Sequence, residues 1–224
     1  MFRNLYVTNR LLRAGRRLLQ VAQSEGLTAI IRKASARMSA SKTTDPFDRQ
    51  HGVQTAGKVS LFQLDICSPH EAAGFAYQPS PVDLCDRLFA SLPIHHEDFT
   101  FIDLGAGKGR VLLVASRFPF KRVIGVEFAR ELVHVARRNI ELSRGRAQVV
   151  HADAADYEFP SDNLVIYLYN PFGPEVLRPV LSSLREISTT REVYLLYLNP
   201  RNDSCVAEFA HEIYRHDGAK VYHF

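Results

Sequence analysis

Short apolar runs alternate with longer amphipathic segments over most of the chain from residue 99 onward. The apolar runs, including residues 101–104, 122–126 and 163–169, have the length and composition of strands that are buried on both faces of a sheet. Later segments such as 175–187 place apolar residues at helical spacing. This alternation of strand and helix predicts a mostly parallel sheet with right-handed crossovers and helices on both faces.

The end of the chain departs from this alternation. Residues 212–215 and 220–224 have the pattern of two further short strands, and the Asp-Gly pair between them, Asp217-Gly218, is typical of a tight hairpin turn. Two more apolar runs, at 147–151 and 192–198, complete the set. The pattern therefore predicts an α/β fold with a seven-stranded, mostly parallel sheet and a terminal antiparallel hairpin.

A helical extension is predicted before the sheet. Residues 3–23 are amphipathic, with leucines on one stripe and arginines on the other side, and residues 27–38 are a second helical candidate. Residues 39–60 are rich in turn residues, and we expect a structured loop that lies over the ligand site. The chain is thus divided into a basic helical extension with its loop, residues 1–60, and the domain that carries the sheet, residues 61–224.

Positive charge is concentrated in this extension. The chain has a formal net charge of +4, while residues 1–40 alone hold eight Arg or Lys side chains and one acidic residue, Glu25. An arginine-rich helix of this kind has three interpretations: a lid on the core, a membrane-surface anchor, or a grip on nucleic acid or an acidic protein. Contact of residues 3–23 with an acidic surface or a membrane is therefore one predicted interaction.

The remaining composition argues against several classes of protein. The chain has no run of about 18 apolar residues, so no transmembrane helix is predicted. Early arginines, Arg3 and Arg10, interrupt any secretory signal. The three cysteines, Cys67, Cys85 and Cys205, are widely spaced and odd in number. They indicate reduced thiols in a cytoplasmic protein, and neither a disulfide framework nor a metal site is predicted.

The densest chemical signal lies in the run Phe101–Arg110, where the first apolar run ends. Asp103 is followed by Gly105, Gly107 and Gly109, and an apolar helical segment begins at once. Glycine permits a positive φ and lets a ligand approach the backbone. A phosphate-binding P-loop fails, because Ser or Thr does not follow Gly-Lys. A dinucleotide fingerprint has its third glycine one position later, so a nicotinamide cofactor and an ordinary glycine-rich turn stay as alternatives.

The pattern Asp-x-Gly-x-Gly-x-Gly resembles the first motif of the class I S-adenosylmethionine-dependent methyltransferases. The resemblance implies a Rossmann-like fold and S-adenosylmethionine as the cofactor. In that family the glycine loop surrounds the amino-acid end and ribose of the cofactor, and the acid at Asp103 orients the loop or the cofactor's ammonium group. The resemblance also implies that Glu127 accepts from the ribose hydroxyls and Asp153 from the adenine amino group. Taken singly, each acid is also a candidate helix cap or surface residue.

A narrower resemblance is to the non-SET protein lysine methyltransferases, the group related to disruptor of telomeric silencing. The shared features are an aromatic residue before the first helix, here Tyr77; a Gly-Val-Glu run, here ending at Glu127; and an Asn close to Phe-Gly-Pro-Glu, here Asn170–Glu175. The resemblance covers residues 75–187. It implies that the loop with Tyr77 reaches over the cofactor; a tyrosine that only packs against the fold is the alternative.

Asn170, Pro171 and Phe172 are the predicted catalytic residues. Methyl transfer from a sulfonium is an in-line displacement, so the protein must align the acceptor and leave its lone pair free. Pro171 has no N–H, so Asn170 and Pro171 are expected to present hydrogen-bond acceptors to an amine, with Phe172 packing the methyl group or substrate. A plain strand-ending turn is the alternative for this pair.

The sequence therefore predicts an S-adenosylmethionine-dependent methyltransferase that acts on an amine such as a protein lysine. Two alternatives remain at this point. One is a small-molecule methyltransferase of the same fold, and the other is a non-catalytic partner protein that binds the cofactor.

Overall fold

The computed structural model of the protein describes residues 45–61, 64, 66 and 68–224. The helices predicted for residues 3–23 and 27–38 lie outside that part of the chain. The sheet belongs to a compact unit, Thr43–Phe224. Residues 45–60 of the predicted extension are therefore part of the same unit as the sheet.

One sheet runs through this unit. Its strands are β1 (Phe99–Leu104), β2 (Arg122–Glu127), β3 (Gln148–His151), β4 (Asn163–Leu168), β5 (Val193–Leu198), β6 (His211–His216) and β7 (Ala219–His223). They lie in the order β3-β2-β1-β4-β5-β7-β6. The pairs from β3 to β5 are parallel, and β7 pairs antiparallel with both β5 and β6. This arrangement confirms the predicted Rossmann-like α/β fold with a terminal antiparallel hairpin.

The described residues also form six α-helices. They are α1 (Pro46–His51), α2 (Val82–Ala90), α3 (Arg110–Ala115), α4 (Arg130–Leu142), α5 (Pro174–Ile187) and α6 (Asp203–Ala207). The last is a short helix that ends four residues before β6 begins at His211. Pro81 occupies the N-cap position of α2, and Ser80 Oγ, just before it, accepts a hydrogen bond of 2.9 Å from the Tyr167 hydroxyl.

Apolar side chains pack on both faces of the sheet. Phe101 of β1 belongs to the cluster that includes residues of α2, α3 and α4, whereas its neighbour Ile102 belongs to the cluster that includes residues of α5 and α6. Both are fully buried, because successive side chains of a strand point to opposite faces. A sheet covered on both faces leaves the carboxyl ends of its parallel strands as the place where loops can form a site.

The hairpin at the end of the chain has the turn that its sequence predicts. Asp217 and Gly218 connect β6 to β7, and both have positive φ, 46° and 78°. Two central residues with positive φ match the type I′ turn, whose twist suits a two-residue hairpin. The Asp-Gly prediction is therefore confirmed.

Candidate active site

A cleft opens where β1, β2 and β4 end. Its walls include Asp103 from β1, Glu127 from β2, and Asn170 and Pro171 just after β4. Tyr77, from the segment that precedes α2, lines it as well. Ligands of open parallel α/β sheets bind at this edge. Gly105 and Gly107 also line the cleft, so the structure brings seven of the ten predicted site positions to one cleft.

The glycine loop between β1 and α3 is packed so closely that two of its three glycines leave no room for a side chain. Gly105, Gly107 and Gly109 all have positive φ, at 84°, 55° and 82°. A Cβ on Gly105 would lie 2.4 Å from the Cβ of Pro171, and a Cβ on Gly107 would lie 2.2 Å from Cδ2 of Tyr77. Both separations are far below van der Waals contact. Backbone shape and two adjacent rings thus both require glycine here.

Asp103 is a buried carboxyl group on the wall of the cleft. It is 2% exposed, and burial, together with the charge of Glu127, raises its pKa well above the ordinary value. No hydrogen-bond donor among the described residues offsets this burial. Burying an ionised carboxylate without a partner is unfavourable. The group therefore either holds a proton or needs a cation or donor from a ligand in the cleft.

Glu127 ties the glycine loop to the end of β2. Its Oε2 accepts from the Gly107 N–H at 2.8 Å, and its Oε1 accepts from the Ala129 N–H at 2.8 Å. Burial raises the pKa of this carboxyl to about 7, although the backbone donors act in the opposite direction. Each carboxylate oxygen accepts more than one hydrogen bond. The group therefore retains acceptor capacity for hydroxyl groups of a ligand.

The ring of Tyr77 lies against the glycine loop and is held from two sides. Its hydroxyl donates to the Thr55 carbonyl at 2.5 Å, and Lys108 Nζ lies 5.2 Å from the centre of the ring. Burial raises the pKa of the phenol, so the hydroxyl stays protonated and donates. Tyr77 is thus a fixed wall of the cleft.

Three predicted site residues lie outside the cleft wall. Gly109 is the N-cap residue of α3, and Phe172 is buried in the hydrophobic cluster beside α5. Asp153 caps the short 3₁₀ helix after β3, where its Oδ1 accepts from the Ala155 N–H at 2.9 Å, and its Oδ2 accepts from the Ser68 hydroxyl. The expected packing of Phe172 against a methyl group or substrate does not agree with its place in the core.

The side chain of Asn170 is engaged within the protein. Its Oδ1 accepts from the Tyr197 hydroxyl at 2.9 Å and from the Arg201 N–H at 3.1 Å, and its Nδ2 donates to a carbonyl of the loop after β5. An amide oxygen has two acceptor sites. Both acceptor sites of this oxygen are therefore engaged within the protein, and its acceptance from an amine stays a prediction. The Pro171 carbonyl is also engaged, because it accepts from the Phe75 N–H at 3.0 Å.

Sequence reasoning missed several polar groups of the cleft. The Tyr169 hydroxyl accepts a hydrogen bond of 2.8 Å from Gln78 Nε2, and both residues line the cleft. Arg110, the first residue of α3, lines it too, although its side chain is only 8% exposed. An arginine directly after the glycine loop, before an apolar helix, is the signal that could have identified Arg110. Tyr169 carries no such signal, because an aromatic residue at the end of 163–169 fits a buried strand.

The sheet order, the glycine loop after β1 and the acids at the ends of β1 and β2 together have the architecture of a class I methyltransferase. Residues 101–188 match a family model described as a methyltransferase domain. The chain thus carries a match to a methyltransferase domain, and it resembles the class I S-adenosylmethionine-dependent methyltransferases, the protein-lysine methyltransferases among them, as the sequence predicts.

Two curated relatives and one solved structure show the extent of the likeness. The chain is 29% identical over 108 residues to a protein-lysine N-methyltransferase of Saccharolobus islandicus (strain REY15A), covering 47% of this chain and 66% of that protein. It is 26% identical over 129 residues to a ribosomal protein L11 methyltransferase of Aquifex aeolicus (strain VF5), covering 58% and 51%. The PH0226 protein from Pyrococcus horikoshii OT3 is similar in fold, with 12% identity, a TM-score of 0.50, and coverage of 61% and 85%. The chain spans less than two thirds of the length of the curated relatives it matches.

Two further properties concern the described residues only. No helix among them combines the length and apolarity needed to cross a membrane. Within the same residues, no group of three or more His, Cys, Asp or Glu side chains has the arrangement of a metal site.

Proposed function

We propose that this protein transfers a methyl group from S-adenosylmethionine to the amine nitrogen of a protein lysine. The observation that carries the proposal is the pair of buried acids at the cleft. Asp103 has no donor among the described residues, and Glu127 beside it has its pKa raised to about 7 by burial. A ligand with a cationic amino-acid end and a ribose supplies the cation and the hydroxyl donors that two such carboxyl groups require.

The residues of the cleft fit this cofactor by the chemistry of their donors and acceptors. We assign the ammonium group to Asp103 and the ribose hydroxyls to Glu127, with the glycine loop, Gly105–Gly109, around the amino-acid end. Tyr77 lines the cleft, and we assign its ring to the sulfonium; such a cation–π contact contributes about 0.5–2 kcal/mol. Asp153, at the end of β3, remains the proposed contact of the adenine amino group. When bound, the cofactor supplies the electrophilic methyl group.

The acceptor site is proposed where the tip of β4 borders the cleft, at Asn170 and Pro171. The Asn170 amide joins the tips of β4 and β5, so we assign it the task of holding the rim in place. The hydroxyl of Tyr169, which accepts from Gln78, keeps a further lone pair that can accept from an N–H of the methyl-accepting amine. These residues align the amine and exclude water. The attacking nitrogen is the neutral amine, whose proton passes to solvent.

A protein substrate is favoured by the two curated relatives, because both are named as methyltransferases of proteins. We also place the protein in the cytoplasm, in agreement with the buried free thiols of Cys85 and Cys205. Contact with an acidic surface, of a protein or a membrane, is proposed for residues 3–23 on the ground of their arginines.

Purified protein, incubated with methyl-labelled S-adenosylmethionine and a size-fractionated lysate, tests the proposal. We expect labelled methyl-lysine in the protein fraction, and a large loss of label with Asp103→Asn. Asp86→Asn is the matched control, because Asp86 is a partly exposed aspartate of α2 that pairs with Arg117 at 2.6 Å.

Label confined to small molecules would contradict the lysine substrate. Binding of S-adenosylhomocysteine without transfer to any fraction would select a non-catalytic partner protein. Failure of the wild-type protein to bind S-adenosylhomocysteine in calorimetry would contradict the proposal as a whole.

A further inference from the structure

Residues 45–57, here called the strap, contact the glycine loop from outside the cleft. The strap begins with α1, which Asp45 caps by accepting from the Asp48 N–H at 3.1 Å. Val53 and Thr55 follow α1, and both are buried, with Thr55 at 0% exposure. A polar side chain with no exposure must find its partners within the protein. The strap is therefore a packed element of the domain.

A buried polar cluster joins the strap to the residue that follows the glycine loop. Asp48 accepts from the Thr55 hydroxyl at 2.5 Å, from the Thr55 N–H at 2.8 Å and from the Ala56 N–H at 2.8 Å. The same hydroxyl accepts from Arg110 Nε at 2.7 Å, and Arg110 Nη2 lies 3.0 Å from Asp45 Oδ2. Because Arg110 also lines the cleft, this residue connects the strap to the cofactor site.

Further hydrogen bonds attach the strap to two neighbouring walls of the cleft, the glycine loop and Tyr77. Lys108, within the glycine loop, donates from Nζ to the Ala56 carbonyl at 2.6 Å. Asn139 of α4 donates to the Lys108 carbonyl at 2.9 Å and to a carbonyl of the strap at 3.2 Å. The Tyr77 hydroxyl also bonds to the strap, because it donates to the Thr55 carbonyl at 2.5 Å. The loop and the Tyr77 wall are thus bonded to the same short piece of chain.

We propose that the strap is a positioning element of the cofactor cleft, with Thr55 as its central positioning residue. It holds the glycine loop through Arg110 and Lys108, and it holds the adjacent wall through Tyr77. The relative position of these two walls is therefore fixed before the cofactor arrives. A prearranged site binds its ligand more tightly, because its residues lose less conformational entropy when the ligand binds. The inference rests on the proposed function, since the ligand concerned is the cofactor.

Thr55→Val removes the hydroxyl and keeps the volume of the side chain. Thr100→Val is a closely matched control. Thr100 is also at 0% exposure, and its hydroxyl likewise donates to an aspartate, Asp162 at 2.7 Å, and accepts from an arginine, Arg122 at 3.3 Å. It lies at the opposite, amino-terminal end of β1. We expect both variants to lose stability, and Thr55→Val alone to raise the Kd of S-adenosylhomocysteine, roughly tenfold, measured by calorimetry on folded protein.

Lys108→Met is a second arm that does not depend on the folding of Thr55→Val. Lys108 is not among the residues that line the cleft, so we expect its loss to weaken binding through the strap, and Lys108→Arg to restore it by keeping a donor. Equal Kd values for the wild type, Thr55→Val and Lys108→Met would overturn the positioning role. A wild-type protein that does not bind S-adenosylhomocysteine would instead contradict the proposed function.

Discussion

An alanine at position 107 tests how the glycine loop and Tyr77 depend on each other. In Gly107→Ala the new methyl group would lie 2.2 Å from Cδ2 of Tyr77, on a backbone with φ of 55°. A left-handed backbone costs an alanine about 1–2 kcal/mol. Forcing a methyl group into packed space costs about 1–3 kcal/mol more. The two effects together predict a loss of about 2–5 kcal/mol in the free energy of unfolding.

Gly218→Ala separates the two effects. Gly218 has φ of 78° in the turn between β6 and β7, and no atom lies within 4 Å of the position of its Cβ. It therefore carries the backbone cost without the overlap, and we expect a loss of about 1–2 kcal/mol. In Gly107→Ala/Tyr77→Ala the overlap is absent, so the double variant should lose less stability than the sum of its single variants.

Urea unfolding followed by circular dichroism measures these free energies, and the absence of tryptophan from the chain rules out its fluorescence as a probe. In thermal melts each kcal/mol should appear as a shift of about 2–4 °C for a protein of this size. Calorimetry with S-adenosylhomocysteine should show weaker binding by Gly107→Ala and unchanged binding by Gly218→Ala. Equal losses of stability in the two variants, with equal binding, would refute the packing of Tyr77 on the loop.

Two further predictions concern buried polar groups. Burial raises the pKa of Asp103 in the folded state. The protonated carboxyl group therefore stabilises the folded protein fully at a pH below its pKa in the unfolded state, and this stabilisation is lost as the pH rises through its pKa in the folded state. Asp103→Asn should therefore unfold at higher urea than wild type at pH 8 and not near pH 3, and lower stability at pH 8 would contradict this. Asn170 has φ of 44°, so Asn170→Ala should be less stable than Asn170→Gly by about 1 kcal/mol; thermal melts in the reverse order would refute it.

The sheet and the glycine loop could be predicted because both are recorded in short stretches of sequence. A strand buried on both faces is a continuous apolar run, as in 163–169. The spacing of Gly105, Gly107 and Gly109 marks a backbone with positive φ, which other residues rarely adopt. Acidic residues at the ends of parallel strands lie at the same edge of the sheet. The sequence positions of Asp103 and Glu127 were therefore sufficient to predict that both residues line one cleft.

The directions of the side chains at the tip of β4 could not be predicted in the same way. The amide of Asn170 turns toward the tip of β5, where it meets the hydroxyl of Tyr197 across 27 positions of sequence. That direction depends on a positive φ at Asn170 and on the path of another loop, and neither is encoded in the residues beside it. A phenylalanine suits a cleft wall and a hydrophobic core equally well, so the residue type at Phe172 does not distinguish between these two positions.

The strap shows why the residues that hold a site are harder to recognise than those that form it. Thr55 meets Arg110 across 55 positions of sequence, and Asn139 meets Gln54 across 85. Hydrophobic periodicity carries no information about such pairs. From its sequence pattern the strap is therefore indistinguishable from an ordinary polar loop. Yet a buried polar cluster tolerates few arrangements, because each donor or acceptor left unpaired is costly. The pattern of apolar residues thus determines where the ends of the strands lie. The position of Tyr77 relative to the glycine loop depends instead on these long-range polar pairs. A change in the strap should therefore alter the binding of the cofactor while the sheet stays intact.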